Sequence, residues 1–148
     1  MNVSPETVTF KGRIIMIGCG CIGQAVMPVI GRHIEGIHGR MTVFSADESG
    51  RGITERCGAK FIHCNLTPGN YRTILKNHLC DGDLMLNLSV DISSLDLIRF
   101  CAQRGALYVD TSIEPWPGVF DNPMLKLYQR TNYAIRAKTI ELAAELGP

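Results

Sequence analysis

An apolar run, Arg13-Ile-Ile-Met-Ile17, leads directly into Gly18, Gly20 and Gly23, which are spaced G-x-G-x-x-G and followed by a helix-compatible segment. A strand, a glycine turn and a helix in this order constrain the fold more than anything else in the chain. Gly18 permits a tight turn out of the strand, Gly20 lets a pyrophosphate approach the backbone, and Gly23 lets the helix pack closely on a sheet. Amides at the start of that helix then face the anionic phosphates. Gly18, Gly20, Cys21, Ile22 and Gly23 are therefore candidate cofactor-binding positions. A purely structural turn can use the same glycines, so the neighbouring sequence has to decide.

A second apolar run, Met41-Thr-Val-Phe-Ser-Ala46, ends at Asp47, which lies 24 residues beyond Gly23. A carboxylate at that point can accept hydrogen bonds from the hydroxyls of an adenosine ribose and repels a 2′-phosphate. That favours NAD as cofactor. Two readings stay open: Asp47 and Glu48 as polar loop residues, and Arg51 as a partner for the 2′-phosphate of NADP.

The chain has 148 residues, with 15 basic and 14 acidic side chains and a formal net charge of +1. This length suits one domain with a substantial core. No block of like charge suggests a nucleic-acid partner or a membrane surface. The longest apolar stretches are strand-length and no secretory leader is recognisable, so a cytoplasmic location is expected. Cys19, Cys21, Cys57, Cys64, Cys80 and Cys101 form no C-x-x-C pair, which argues against a metal site and for reduced thiols. Redox regulation through Cys19 or Cys21 at the positive helix start is the alternative.

Strand and helix alternate along the remainder. A helix is expected from about Cys21 to Ile34, bent or left with an unpaired carbonyl at Pro28. A short polar helix or loop covers Gly50 to Arg56, and a third strand covers Lys60 to Cys64. Thr67 suits a helix N-cap and Pro68 the first helical position, with Tyr71, Ile74, Leu75 and Leu79 as the buried stripe. Asp83 to Leu88 reads as a central parallel strand because it is almost continuously apolar. Asp91 precedes a helix carrying Leu95, Ile98, Phe100 and Cys101; Ala106 to Val109 is the next strand, and Asn132 to Leu146 the last helix. The expected fold class is α/β, a Rossmann-like three-layer αβα arrangement with a mostly parallel sheet of about five or more strands.

Ligands of open α/β sheets collect beyond the carboxyl ends of the strands, where strand order reverses. That singles out the loops Gly18 to Gly23, Asp47 to Arg51, Cys64 to Thr67, Asn87 to Asp91 and Asp110 to Trp116. Asn87, Leu88, Ser89 and Thr111 are further candidate cofactor contacts, although Asn87 and Ser89 can equally cap the next helix. In Thr111-Ser-Ile-Glu-Pro-Trp116 a carboxylate and an indole stand beside two prolines, a pairing suited to a cationic amine through ion pairing and cation–π attraction. Glu114, Trp116 and Asp91 are accordingly candidate substrate-binding residues. Trp116 as a packing residue, Glu114 as a solvated one and Asp91 as a helix cap are the competing readings.

At these residues the chain resembles the N-terminal part of the homospermidine synthases, relatives of the saccharopine dehydrogenases. The resemblance runs from about Phe10 to Arg136. It includes Gly18-Cys-Gly-Cys-Ile-Gly-Gln24, Thr42-Val-Phe-Ser-Ala-Asp47, Asn87-Leu-Ser-Val-Asp91, Asp110-Thr-Ser-Ile-Glu-Pro-Trp116 and Thr131-Asn-Tyr-Ala-Ile-Arg136. It implies a recycled NAD: hydride is taken from putrescine to give an imine, ammonia leaves as a second amine adds, and the hydride returns to give homospermidine. By the same resemblance Gly18 to Gly23, Asp47, Asn87 and Ser89 line NAD, while Asp91 and Glu114 lie towards the amine and act in catalysis, with Trp116 nearby.

Members of that family are longer than this chain, so a fragment of a two-domain enzyme, lacking its C-terminal domain, is expected. His33, His38, His63 and His78 show no evident acid–base partner in the sequence. An exposed apolar surface around Trp116 and the terminal helix is expected to favour self-association. The other classes weighed are a stand-alone regulatory dinucleotide sensor, which would not be expected to carry Ile113-Glu-Pro-Trp116, and a methyltransferase, whose adenosylmethionine has no pyrophosphate.

Overall fold

The computed structural model describes residues 7–146. The elements are β1 (Ile14–Ile17), α1 (Cys21–His33), β2 (Met41–Ser45), α2 (Arg51–Arg56), β3 (Lys60–His63), α3 (Tyr71–Leu75), β4 (Leu84–Asn87), α4 (Ser94–Ala102), β5 (Leu107–Asp110) and α5 (Asn132–Leu146). They form one five-stranded parallel sheet in the order β3-β2-β1-β4-β5. The chain builds outwards from β1 to β3, then crosses to the other side of β1 and continues with β4 and β5. Strand order thus reverses at β1, and the loops leaving β1 and β4 diverge to open a crevice.

All four residues of β1 are buried, as a strand covered on both faces requires. Side chains alternate between the faces. Ile15 and Ile17 join Phe44 and Met85 in a core packed by Tyr71, Leu75, Leu79, Leu97 and Phe100. Ile14 and Met16 join Met41, Val43 and Leu86 in a second core with Met27 and Ile37. Each such side chain taken from water contributes about 1.5–3 kcal/mol. The three-layer αβα arrangement read from the sequence follows from these two cores.

Register brings the strand ends level: Ile17 stands opposite Phe44 and Asn87, Ser45 opposite His63, and Asn87 opposite Asp110. At the other end of the sheet, just before β4, the buried carboxylate of Asp83 receives Arg13 N–H at 2.7 Å, Arg13 Nε at 3.0 Å, Arg13 Nη2 at 2.8 Å and Cys80 N–H at 2.8 Å. Burial alone would raise its pKa, but these bonds outweigh it and hold the carboxyl below its ordinary range.

Two local expectations are corrected. The helix after β3 does not start at Thr67-Pro68: Asn70 Oδ1 accepts from Thr67 N–H at 2.8 Å, closing a turn, and α3 begins at Tyr71. Asp91 does not cap α4, because Ser93 does, accepting from Asp96 N–H at 3.3 Å. α1 runs through Pro28 without interruption in its 13 residues, and the missing N–H leaves the Gln24 carbonyl without an intrahelical donor, one of the two outcomes expected there. The stripe Tyr71, Leu75 and Leu79 is buried as expected, and α5 spans the predicted residues, packing on α4.

Candidate functional site

The glycine turn is built from backbone geometry that only glycine supplies. Gly18 has φ +87°, and a Cβ on it would lie 2.8 Å from Ser89 N and 2.9 Å from Leu88 C. The turn after β1 is therefore pressed against the backbone that leaves β4. A Cβ on Gly23 would meet the Gly18 carbonyl oxygen at 2.7 Å, so the first turn of α1 sits directly on the loop. A Cβ on Gly20 would meet nothing within 4 Å. The first glycine makes the turn, the third makes the helix contact, and the second leaves free space.

Gly20 is the N-cap of α1 and no side chain caps the helix. Gln24 N–H takes the Gly20 carbonyl at 2.9 Å, and the earlier amides of the first turn have no intrahelical acceptor. Cys21 and Ile22 are exposed there, Ile22 by 57%. A dipole-positive end with free donors faces outwards beside Gly20.

A cavity of about 500 Å³ lies at this crevice, lined among others by Gly18, Gly20, Asp47, Leu88, Ser89 and Asp91. Asp47, exposed, stands at its β2 side. Its Oδ1 accepts the Ser49 N–H at 2.9 Å and the Ser49 hydroxyl. Those two bonds hold the carboxyl below its ordinary pKa, so it is ionised at neutral pH. Ile17, Phe44, Leu66 and Ile92 supply apolar wall.

On the β4 side the side chain of Asn87 is buried rather than presented to the cavity. Its Oδ1 accepts Ser89 Oγ at 2.6 Å and Ser89 N–H at 3.2 Å, while its Nδ2 donates to Tyr108 Oη at 3.2 Å. Tyr108 in turn donates to Asp110 Oδ2 at 2.9 Å. Burial raises the Tyr108 pKa, which keeps the phenol a donor. This chain of bonds fixes the loop that carries Ser89. Asp91, also on the wall, has φ +61°, a left-handed conformation uncommon for a side-chain-bearing residue.

The β5 loop is arranged differently. Ser94 and Glu114 exchange bonds, Ser94 N–H to Glu114 O at 2.8 Å and Glu114 N–H to Ser94 Oγ at 3.0 Å. Ser112 Oγ donates to Glu114 Oε1 at 2.7 Å. Trp116 is half-buried against Tyr71, with ring centroids 5.6 Å apart, and its Nε1 donates to Asp96 Oδ2 at 2.6 Å. Glu114 and Trp116 thus brace the loop on α4, and neither lines the cavity, which Pro117 reaches instead. Thr111 lines a separate hollow of about 300 Å³ with Asn132, Tyr133 and Arg136. Of the two acids expected near the amine, Asp91 alone stands at the cavity.

Two features escaped the sequence. Gly50 is packed so tightly that a Cβ on it would lie 2.2 Å from Cys19 Sγ and 2.6 Å from Cys19 O. Thr54 Oγ1, buried beneath, donates to Gly50 O at 2.8 Å and lies 3.7 Å from Cys19 Sγ. The Asp47 loop is thereby seated on the glycine turn. A glycine three residues after Asp47 was the available signal. Burial raises the Cys19 pKa, so the thiol is neutral packing material, against the redox reading for that residue. The expectation that no histidine has an acidic partner also fails: His63 Nδ1 lies 3.1 Å from Glu48 Oε1, and its Nε2 lies 3.0 Å from Ala46 O. The partner comes from the end of β2, which β3 pairing brings alongside.

Among the described residues no cluster of three or more His, Cys, Asp or Glu is arranged to hold a metal ion, and no helix is long and apolar enough to cross a membrane. The family of the saccharopine dehydrogenase NADP binding domain matches residues 14–147. A homospermidine synthase of Blastochloris viridis is 41% identical over 128 residues, which are 84% of this chain and 27% of that protein. One from Mesorhizobium japonicum (strain LMG 29417 / CECT 9101 / MAFF 303099) is 38% identical over 133 residues, 88% of this chain and 27% of its own length. The crystal structure of the homospermidine synthase of Legionella pneumophila in complex with NAD matches with a TM-score of 0.81 and 32% identity, covering 93% of this chain and 28% of that one. The chain spans 27–28% of the length of these relatives.

Proposed function

The chain belongs to the saccharopine dehydrogenase NADP-binding-domain family, and from that premise we propose that it is the NAD-binding domain of a homospermidine synthase-like enzyme. The observation that carries this reading is the open Gly20 beside the uncapped start of α1, facing the ionised Asp47 across one cavity. The residues fit the cofactor. The amides of Cys21, Ile22 and Gly23 would take the pyrophosphate, and Asp47 would take the adenosine ribose. The family's name carries NADP, but a carboxylate at Asp47 would oppose a 2′-phosphate.

In this reading NAD, when bound, would supply hydride acceptance from the amine substrate and its later return. The chain's own residues orient and shield. Leu88 and Ser89 lie against the glycine turn on the β4 side, where the nicotinamide half would lie, with Asn87 acting through the position of Ser89. Asp91 would face the ammonium group of putrescine or a related polyamine by charge. Glu114, held by Ser112, and Trp116, held by Asp96, would complete an amine site only with their bracing bonds rearranged. Thr111, Asn132 and Arg136 would belong to its outer margin. Aminoalkyl transfer is the activity proposed for the whole enzyme. The cytoplasm is its proposed location, which the six free cysteines support.

Calorimetric titration of the chain with NAD, NADP and adenosylmethionine, each with and without putrescine, tests the reading. NAD binding in preference to the other two is the expected result, with a further change when putrescine is present. Preference for adenosylmethionine would overturn it.

A further inference from the structure

Arg51 stands four residues beyond Asp47, where an arginine in this fold can accommodate the 2′-phosphate of NADP. In the structure that arginine is already engaged. Its Nε and Nη2 form a fork on the Glu48 carboxylate, with Nη2 3.0 Å from Oε1, and its Nη1 lies 3.4 Å from Glu55 Oε1. The guanidinium lies 4.5 Å above the ring centre of Phe61. His63 Nδ1 lies 3.1 Å from the same Glu48 Oε1. The cavity wall includes Asp47 and not Arg51.

We propose that Glu48 and Glu55 form a latch that withholds Arg51 from a 2′-phosphate, so that discrimination for NAD over NADP rests on these two acids as well as on Asp47. The inference rests on the dinucleotide-binding reading above. To serve a 2′-phosphate, Arg51 would exchange one forked anion for another, a swap with little net gain. It would also leave the carboxylates of Glu48 and Glu55 uncompensated beside an incoming dianion. Phe61 adds a cation–π contact that keeps the guanidinium over β3. Asp47 opposes the phosphate directly; the latch removes the cation that would otherwise offset it.

The test is titration of the chain, of E48Q/E55Q and of E48Q/E55Q/R51Q with NAD and with NADP. The double variant should bind NADP about tenfold more tightly than the parent chain, with its NAD affinity changed by less than about threefold. The added R51Q should cancel the gain. Unchanged NADP affinity in a double variant that still binds NAD overturns the latch alone. A gain that survives R51Q overturns it too, because it would come from lost negative charge rather than from a released arginine. A parent chain that binds neither dinucleotide overturns the coenzyme reading and the latch together.

Discussion

The two halves of the rim at the carboxyl ends of the strands are built on opposite plans. On the β1–β2 half, backbone approaches backbone: Gly18 lies against Leu88 and Ser89, Gly23 against Gly18, and Gly50 against Cys19. The remaining free space is beside Gly20 and Asp47. On the β5 half, side chains are spent on one another, Glu114 with Ser112 and Trp116 with Asp96, while Val109 and Tyr133 are 50% and 84% exposed. One half is organised around a vacancy and the other braces itself. In this fold, preorganisation for a ligand is carried by what glycine leaves out.

Substitutions can break that contrast. Gly18→Val should have the largest effect, because it forces a branched side chain into a left-handed backbone and against the β4 exit; a loss of about 2–4 kcal/mol in urea unfolding, with dinucleotide binding abolished, is expected. Asp83→Asn should cost about 2–3 kcal/mol by breaking the pair between the buried Asp83 carboxylate and the half-exposed Arg13, damaging both halves equally. Its pH dependence has a definite sign. The folded pKa is depressed, so the contribution is present above the unfolded value of about 3.9 and vanishes as pH falls through the folded value. The stability gap between Asp83→Asn and the parent chain should therefore close in acid, which urea midpoints at neutral and low pH will show.

Smaller changes sharpen the contrast. Asp47→Asn should weaken NAD binding about tenfold and leave thermal unfolding unchanged, since its carboxylate is exposed and serves the loop only through Ser49. Trp116→Phe should keep the ring against Tyr71 and lose the bond to Asp96, at about 1 kcal/mol, with NAD affinity intact. If Trp116→Phe lowered NAD affinity as much as Asp47→Asn does, the two halves would not be separate in function.

The glycine turn, its strand and the placing of Asp47 just past the second strand were legible because their physics is local: φ at Gly18, the helix start at Cys21 and the strand end before Asp47 are each written in a few adjacent residues. The limits of α5 were legible for the same reason, from its run of helix-forming residues. What escaped depends on contacts across the sheet. Whether Asn87 faces a ligand or Tyr108, whether Trp116 meets an amine or Asp96, and whether His63 has an acidic partner are decided by strand order and register. Gly50 is the intermediate case, visible as a residue but meaningful only once Cys19 is beneath it. The start of α3 was misjudged because Thr67-Pro68 satisfies the helix-start rule while the Asn70 side chain closes a competing turn.

The pair of Arg13 and Asp83 acts as a gauge for the distant crevice. Between it and Gly18 lie the four residues of β1, about 13 Å of extended chain. Parallel strands offer few cues against slippage when both faces are apolar, and a slip of one residue between β1 and β4 would shift the two loops by roughly 3.3 Å. That distance would separate Gly18 from Ser89 or drive them together. A charged pair at the floor of the sheet thus calibrates the width of a gap at its top, and selection on ligand fit would be felt at residues that no ligand touches.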